Sequence, residues 1–327
     1  DHMHAIPAAA ALRKKLAVYC EKPLTHSLYE ARTLRQLTAE SGAATQMGNQ
    51  IHSGDNYRRV VETIQAGVLG PVRRMHVWQG GGIDWRNGVK RGVRVEQADV
   101  PKHINYDQWL GPAPERPFHV SHFHFNWRYW YDFGGGQLGD FGCHYMDLPF
   151  WALGLDAPTS IVAAGEKGHD GENDCPQFLR VEYEFPEKNG RPGVHMTWYH
   201  GGWKPKGAEI YDKHSAVLFE GEDGRLLADY GTRKLFMQSG KTAEAVEPSI
   251  PASPGQQQEW LNAIRGGSTP LCNFEYGGTL TETVHLGNVS YRLGGVKLAW
   301  DAENLRSPGT PAADRFIKRE YREGWTL

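Results

Sequence analysis

Apolar and polar positions alternate along this chain in two different rhythms. Near the start, the alanine-rich run Ala8-Ala9-Ala10-Ala11-Leu12 predicts a helix by propensity, and Leu16 to Cys20 is an apolar run of strand length. A helix signal follows. Ser27 and Glu30 form an S-x-x-E capping box, Leu28, Ala31, Leu34 and Leu37 recur on one face, and Gly42 stands where a left-handed C-terminal cap belongs. Ala43 to Met47 predicts a second short strand, and Asn56 to Ala66, stopped by Gly67, a further helix. Helix, strand, helix, strand is half of a parallel α/β sheet, so the chain is expected to begin in the middle of such a domain.

After Val72 to Trp78 the rhythm changes to a period of two. In Phe178 to Phe185, Leu179, Val181, Tyr183 and Phe185 share one face, while Arg180, Glu182 and Glu184 share the other, the pattern of a half-buried antiparallel strand. Asn189-Gly190 supplies a turn before Val194 to Tyr199, and Ala216 to Glu220 and Lys234 to Met237 are further strands. Pro248, Pro251 and Pro254 mark a surface loop, and there is no internal repeat. The fold class expected is α/β plus α+β: a remnant of a parallel sheet over residues 1–50, then a large, mainly antiparallel β-sheet domain with helices over 51–327.

Composition narrows the partner. With 36 basic against 38 acidic side chains in 327 residues, there is no excess of cations for a nucleic-acid backbone, and a small molecule is the expected ligand. No run is long and apolar enough to predict a membrane span. Cys20, Cys143, Cys175 and Cys272 form no C-x-x-C pair and suit neither a disulfide scaffold nor a structural zinc site.

Two constellations could carry chemistry. Glu21-Lys22-Pro23 directly follows a predicted strand, and ligands of open parallel sheets bind beyond the carboxyl ends of their strands. A lysine there could hold a substrate hydroxyl or stabilise an alkoxide, with proline fixing the turn in a form open to a cis bond. The plainer alternative is a solvated turn. Asp140, His144 and Asp147 have spacings that predict one helical face, with Pro149 kinking the helix beyond. A histidine beside a carboxylate suits general acid/base work, whereas the alternative is an acidic helix start with a core histidine behind it.

Two other signals are discounted. Gly134, Gly136 and Gly139 have the G-x-G-x-x-G spacing, but no buried strand precedes them, so they are expected to ease a tight turn and not to bind a pyrophosphate. Two carboxylates and a histidine could ligate a metal, with His122 and His124 nearby, but no ligand motif supports it, so no metal is expected. From Phe123 to Phe133 seven of eleven residues are aromatic, and Trp85-Arg86 lies in a glycine-rich loop after Gly80-Gly81-Gly82. Most of these rings are expected in the core, with one or two lining a sugar pocket.

Taken together, Asp1-His2-Met3-His4, Glu21-Lys22-Pro23-Leu24, Met47-Gly48-Asn49-Gln50 and Gly139-Asp140-x-x-x-His144 resemble the Gfo/Idh/MocA oxidoreductases, relatives of glucose-fructose oxidoreductase and inositol dehydrogenase. Trp109-Leu110-Gly111-Pro112-Ala113-Pro114 and the stretch from Ala313-Asp314-Arg315-Phe316 to Gly324-Trp325-Thr326-Leu327 extend the likeness to larger, often Tat-exported bacterial members. The resemblance implies a Rossmann domain binding NAD or NADP and a sheet domain binding a carbohydrate. It implies Lys22, Asp140 and His144 as catalytic, Glu21, Lys22, Pro23, Asn49 and Gln50 at the cofactor, and Trp85, Arg86, Trp127, Arg128 and Asp147 at the substrate. It also implies a homo-oligomer, a dimer or tetramer.

The family's glycine fingerprint belongs to a first strand and helix, so about 60 to 80 residues are expected to precede this chain, judged by the size of βαβ units. The pyrophosphate then lacks its helix N-terminus and nucleotide binding is expected to be weak. Any leader would lie there too, which leaves a cytoplasmic or exported location open. The function expected is hydride transfer between NAD(P) and a sugar, polyol or glycoside hydroxyl. Its rivals are an NAD-assisted glycosidase or lyase, and a non-catalytic carbohydrate-binding or oligomerisation module.

Overall fold

The computed structural model describes residues 1–80 and 98–327. Helix α1 (Ala5–Arg13) buries Ala5, Ala8, Ala9 and Leu12 and leads to strand β1 (Val18–Glu21). The strand starts two residues later than the apolar run. Leu16 donates its amide to the Ala11 carbonyl, so it closes the end of α1 and is left 54% exposed. Helix α2 (Leu28–Ser41) carries the capping box as expected: the Ser27 side chain accepts from the Glu30 amide, the Glu30 carboxylate accepts from the Ser27 amide, and Gly42 is left-handed at φ 65°. Strand β2 (Thr45–Gly48) then pairs parallel with β1, with Cys20 opposite Met47 and Glu21 opposite Gly48.

Helix α3 (Asp55–Gln65) buries Tyr57, Val60, Val61 and Ile64, each contributing roughly 1.5–3 kcal/mol by leaving water. The chain then enters the large sheet at β3 (Val72–Gln79), passes the short helix α4 (Tyr106–Leu110), and continues through α5 (Gly136–Tyr145) and α6 (Asp147–Leu153). Strands β4 (Ser160–Glu166), β5 (Phe178–Phe185), β6 (Val194–His200), β7 (Ser215–Gly221), β8 (Gly224–Ala228) and β9 (Arg233–Met237) follow. After α7 (Gln256–Ile264) and α8 (Phe274–Arg292), β10 (Leu298–Ala299) and α9 (Asp314–Ile317) complete the order.

The described strands of this sheet run β10-β4-β5-β6-β3-β7-β8-β9, antiparallel except that β3 lies parallel to β6. Strand β5 alternates as its sequence predicts, burying Leu179, Val181, Tyr183 and Phe185. Asn189 and Gly190 both have positive φ in the two-residue turn bridged by Lys188 and Arg191, the geometry that matches hairpin twist.

Helix α8 has no strong sequence signal, because its Thr, Val and Gly residues are poor helix formers. Packing explains them. A Cβ on Gly277 would fall 2.9 Å from Met47, one on Gly278 2.6 Å from Arg35, and one on Gly287 2.6 Å from the Tyr183 hydroxyl, so these glycines let α8 lie close against β2, α2 and β5. Arg32 and Arg35 of α2 also pair with Glu282 of α8. The single kinked helix expected beyond Asp140 is in fact two. Pro149 has no amide for the Tyr145 carbonyl, and the helix breaks at Met146. Pro149 then sits in the first turn of α6, where its missing amide is not needed.

Candidate functional site

The carboxyl ends of β1 and β2 face the middle of α5, and that junction gathers the charged residues. Lys22 follows β1 through a cis Lys22–Pro23 peptide. Its Nζ donates to Asp140 Oδ1 at 2.7 Å and to the Asp140 carbonyl, and it lies 5.6 Å from the centre of the Phe141 ring. Arg128 Nε donates to the same Asp140 Oδ1 at 3.2 Å. The Arg128 guanidinium is held between the Phe125 and Trp127 rings, 4.0 and 4.2 Å from their centres. Burial alone would raise the Asp140 carboxyl, but the Lys22 and Arg128 charges outweigh it and hold the group below its ordinary value. Asp140 Oδ2 is buried with no hydrogen-bond partner among the described residues, and the third proton of Lys22 is not used by Asp140.

One turn further along α5, His144 is 7% exposed, and its Nδ1 lies 2.7 Å from Asn49 Oδ1. Asn49 Nδ2 donates to the Cys143 carbonyl at 2.8 Å, which fixes the direction of the carboxamide. The Tyr57 hydroxyl donates to the His144 carbonyl at 3.2 Å, and the Tyr230 ring stands edge-on to the imidazole at 6.1 Å.

The expected residues do not all meet. Asn49 was expected at the cofactor, but it is fully buried with both amide atoms occupied. Gln50 is exposed at the start of a 3₁₀ turn, Gln50–Ser53. Asp147 was expected on the face of Asp140 and His144. The break at Met146 turns it away, and it accepts from His52 Nδ1 at 2.9 Å and from the Tyr276 hydroxyl at 2.6 Å in full burial. It holds the 3₁₀ turn to α6. Trp127 is half-buried against Arg128. Glu21 is exposed and lies against Gly48, where a Cβ would fall 2.6 Å from its Oε2. Partial burial raises the Glu21 carboxyl, against the pull of Lys22. Trp85 and Arg86 lie outside the described residues.

The sequence reading missed His52, Tyr57 and Tyr230. Nothing in the local pattern marks Tyr230. It sits in the β8–β9 turn, where Asn56 donates to the carbonyls of Asp229 and Thr232 on either side. The glycine run was expected to ease a tight turn, and Gly136 has a positive φ of 63° at the start of α5; Gly134 also allows close packing, since a Cβ there would fall 2.6 Å from Arg128 Cα.

A family model for the C-terminal α/β domain of the Gfo/Idh/MocA oxidoreductases matches residues 53–327, most of the chain. The chain belongs to this family. A search of curated proteins found no match. Solved structures share the Gfo/Idh/MocA fold at low identity. An aldose-aldose oxidoreductase from Caulobacter crescentus, complexed with glycerol, is 15% identical with a TM-score of 0.60. The WlbA dehydrogenase from Bordetella pertussis, in complex with NADH and UDP-GlcNAcA, is 16% identical with a TM-score of 0.61. An inositol dehydrogenase homolog from Azotobacter vinelandii, complexed with NADH and myo-inositol, is 16% identical with a TM-score of 0.58. Each alignment covers 91% of this chain and 76% of the other. This Gfo/Idh/MocA chain has no helix, among the described residues, long and apolar enough to cross a membrane.

Proposed function

We propose that the protein is an NAD(P)-dependent oxidoreductase acting on a hydroxyl of a sugar, polyol or glycoside. The observation that carries this reading is the meeting of Lys22, at the carboxyl end of a parallel strand, with Asp140 one helical turn from His144. Solved structures of the same fold with NADH and a sugar or inositol support it.

The described residues suit the reacting end of a nicotinamide cofactor in their donors and charge, because Lys22 and Asn49, at the ends of β1 and β2, meet Asp140 and His144. Among them no glycine-rich turn follows either strand to cradle a pyrophosphate, since Glu21-Lys22-Pro23 and Asn49-Gln50 stand there. When bound, such a cofactor accepts or returns a hydride at carbon. The chain's own part is proton transfer and charge. His144 Nε2 takes the proton of the reacting hydroxyl, Lys22 stabilises the alkoxide that forms, and Asp140 Oδ2 accepts from a neighbouring hydroxyl. Asp140 also keeps the Lys22 and Arg128 cations together despite their repulsion.

The test is a panel of aldoses, polyols and glycosides with NAD⁺ and NADP⁺, followed by reduced-nicotinamide absorbance. Lys22→Ala and His144→Ala are each expected to lower turnover about 100-fold or more while the far-UV spectrum is kept. Unchanged turnover in either variant refutes its role. Glycoside cleavage with no net change in the nicotinamide replaces the dehydrogenase with the glycosidase or lyase reading.

A further inference from the structure

Asn49 and His144 meet in a geometry that leaves one arrangement of protons for a neutral imidazole. Asn49 Nδ2 donates to the Cys143 carbonyl, so its Oδ1, which can only accept, is the atom facing His144 Nδ1. A neutral imidazole in this contact carries its hydrogen on Nδ1, and its lone pair is on Nε2. We infer that Asn49 is a positioning residue that holds His144 in the Nδ1-protonated tautomer, so that Nε2 is the atom able to receive a proton. The inference rests on the reading of His144 as the proton acceptor.

The surroundings make the contact rigid. Asn49 is fully buried at the end of β2, its amide donates to the Met47 carbonyl at 2.7 Å, and its carbonyl accepts from the His52 amide at 3.0 Å. The turn that follows is fastened to α6 by the His52 side chain on Asp147, with the His52 ring stacked on Trp151 at 4.0 Å. The choice of an amide is also chemical. A carboxylate would accept from Nδ1 equally well, but its charge would favour the imidazolium, which has no lone pair to offer. An amide fixes the tautomer without adding a charge that would favour the imidazolium.

Long-range ¹H–¹⁵N spectra of the full chain with ¹⁵N-labelled histidine test this, the His144 signals being assigned by their loss in His144→Gln. In the native protein, Nδ1 of His144 is expected to be the protonated nitrogen and Nε2 the bare one. Asn49→Leu, of similar volume without an acceptor, is expected to move the proton to Nε2, the tautomer free imidazole favours. Asn49→Asp is expected to keep Nδ1 protonated. Turnover on a substrate found by the panel should fall roughly 10-fold or more in Asn49→Leu, mostly in kcat. A native spectrum with the proton on Nε2, or an Asn49→Leu spectrum identical to the native one, overturns the inference. If Asn49→Leu does not fold, the native spectrum alone decides. Should the tautomers behave as expected while His144→Ala keeps full turnover, the positioning stands and the proton-acceptor reading fails, so the two are tested separately.

Discussion

His200, at the end of β6, shows how a buried base ties stability to pH. Its Nδ1 accepts from the Trp198 indole at 3.0 Å, and its Nε2 faces the Pro176 carbonyl at 3.3 Å, so both nitrogens are committed to the neutral ring. Burial pulls its pKa from 6.5 down to about 4, against the Pro176 carbonyl, which pulls the other way. The unfolded chain therefore binds a proton that the folded chain resists. The contribution is complete above about pH 6.5 and declines as pH falls toward about 4, by up to about 3 kcal/mol. His26 and His285, also lowered chiefly by burial, act in the same direction. Asp140 titrates in a different window. Its folded value lies below the ordinary 3.8, so its share is present above about pH 4 and is lost only as pH falls through that depressed value. Urea unfolding over a pH series should show stability falling across the histidine window, and His200→Gln, which can still donate and accept, should flatten that fall. A native profile with no slope there contradicts the assignment.

Among the elements, α8 owes its place to what its glycines omit. A Cβ on Gly287 would stand 2.6 Å from the Tyr183 hydroxyl and 2.7 Å from Leu138 Cδ2, both on fully buried residues that cannot move aside. In an exposed helix, Gly to Ala gains about 1 kcal/mol. Here overpacking costs about 1–3 kcal/mol, and Gly287→Ala is expected to destabilise on balance in chemical denaturation. A variant at least as stable as the native protein would show that the core yields at this point. The same helix marks the limit of what the sequence discloses. Helix α2 was legible because Ser27, Glu30 and Gly42 act on their own neighbours, and β5 because its period of two is local. Helix α8 was not, since the reason for each of its glycines lies on another element. The site divides in the same way. Lys22, Arg128 and Asp140 could be chosen by residue type and place, but the contact between Asn49 and His144 depends on β2 passing beside α5. The departure of Asp147 from that face depends on a helix break one residue before it.

Over the whole molecule, the C-terminal stretch ties distant parts together through one carboxylate. Glu30 Oε2 accepts from the amides of His26 and Ser27, completing the cap of α2. Its Oε1 accepts from Arg319 Nε at 2.8 Å and from the Tyr321 hydroxyl at 2.6 Å, and Arg319 also donates to the His2 carbonyl. Three residues on, Arg322 donates to the Gly111 carbonyl and pairs with Asp107 and Glu115, so the 109–114 run and the closing run that extended the family likeness meet in space. Those outer pairs are solvated and contribute little. Glu30 is different, because it is 1% exposed and every donor around it points inward. Glu30→Gln would replace an accepting oxygen with an NH₂ that faces either the cap amides or Arg319 and Tyr321, leaving the largely buried Arg319 cation without its counter-charge. Losing one partner of such a pair costs about 3–5 kcal/mol. The loss should appear first as release of residues 311–327, since few other contacts of this stretch are as buried. Limited proteolysis read by mass spectrometry should therefore find early cuts in that segment in Glu30→Gln, before any cut in the large sheet, whereas Arg322→Ala should leave it protected. Equal protection of the segment in Glu30→Gln and native protein would mean that α9 and the aromatic contacts of Phe316 hold it without the carboxylate.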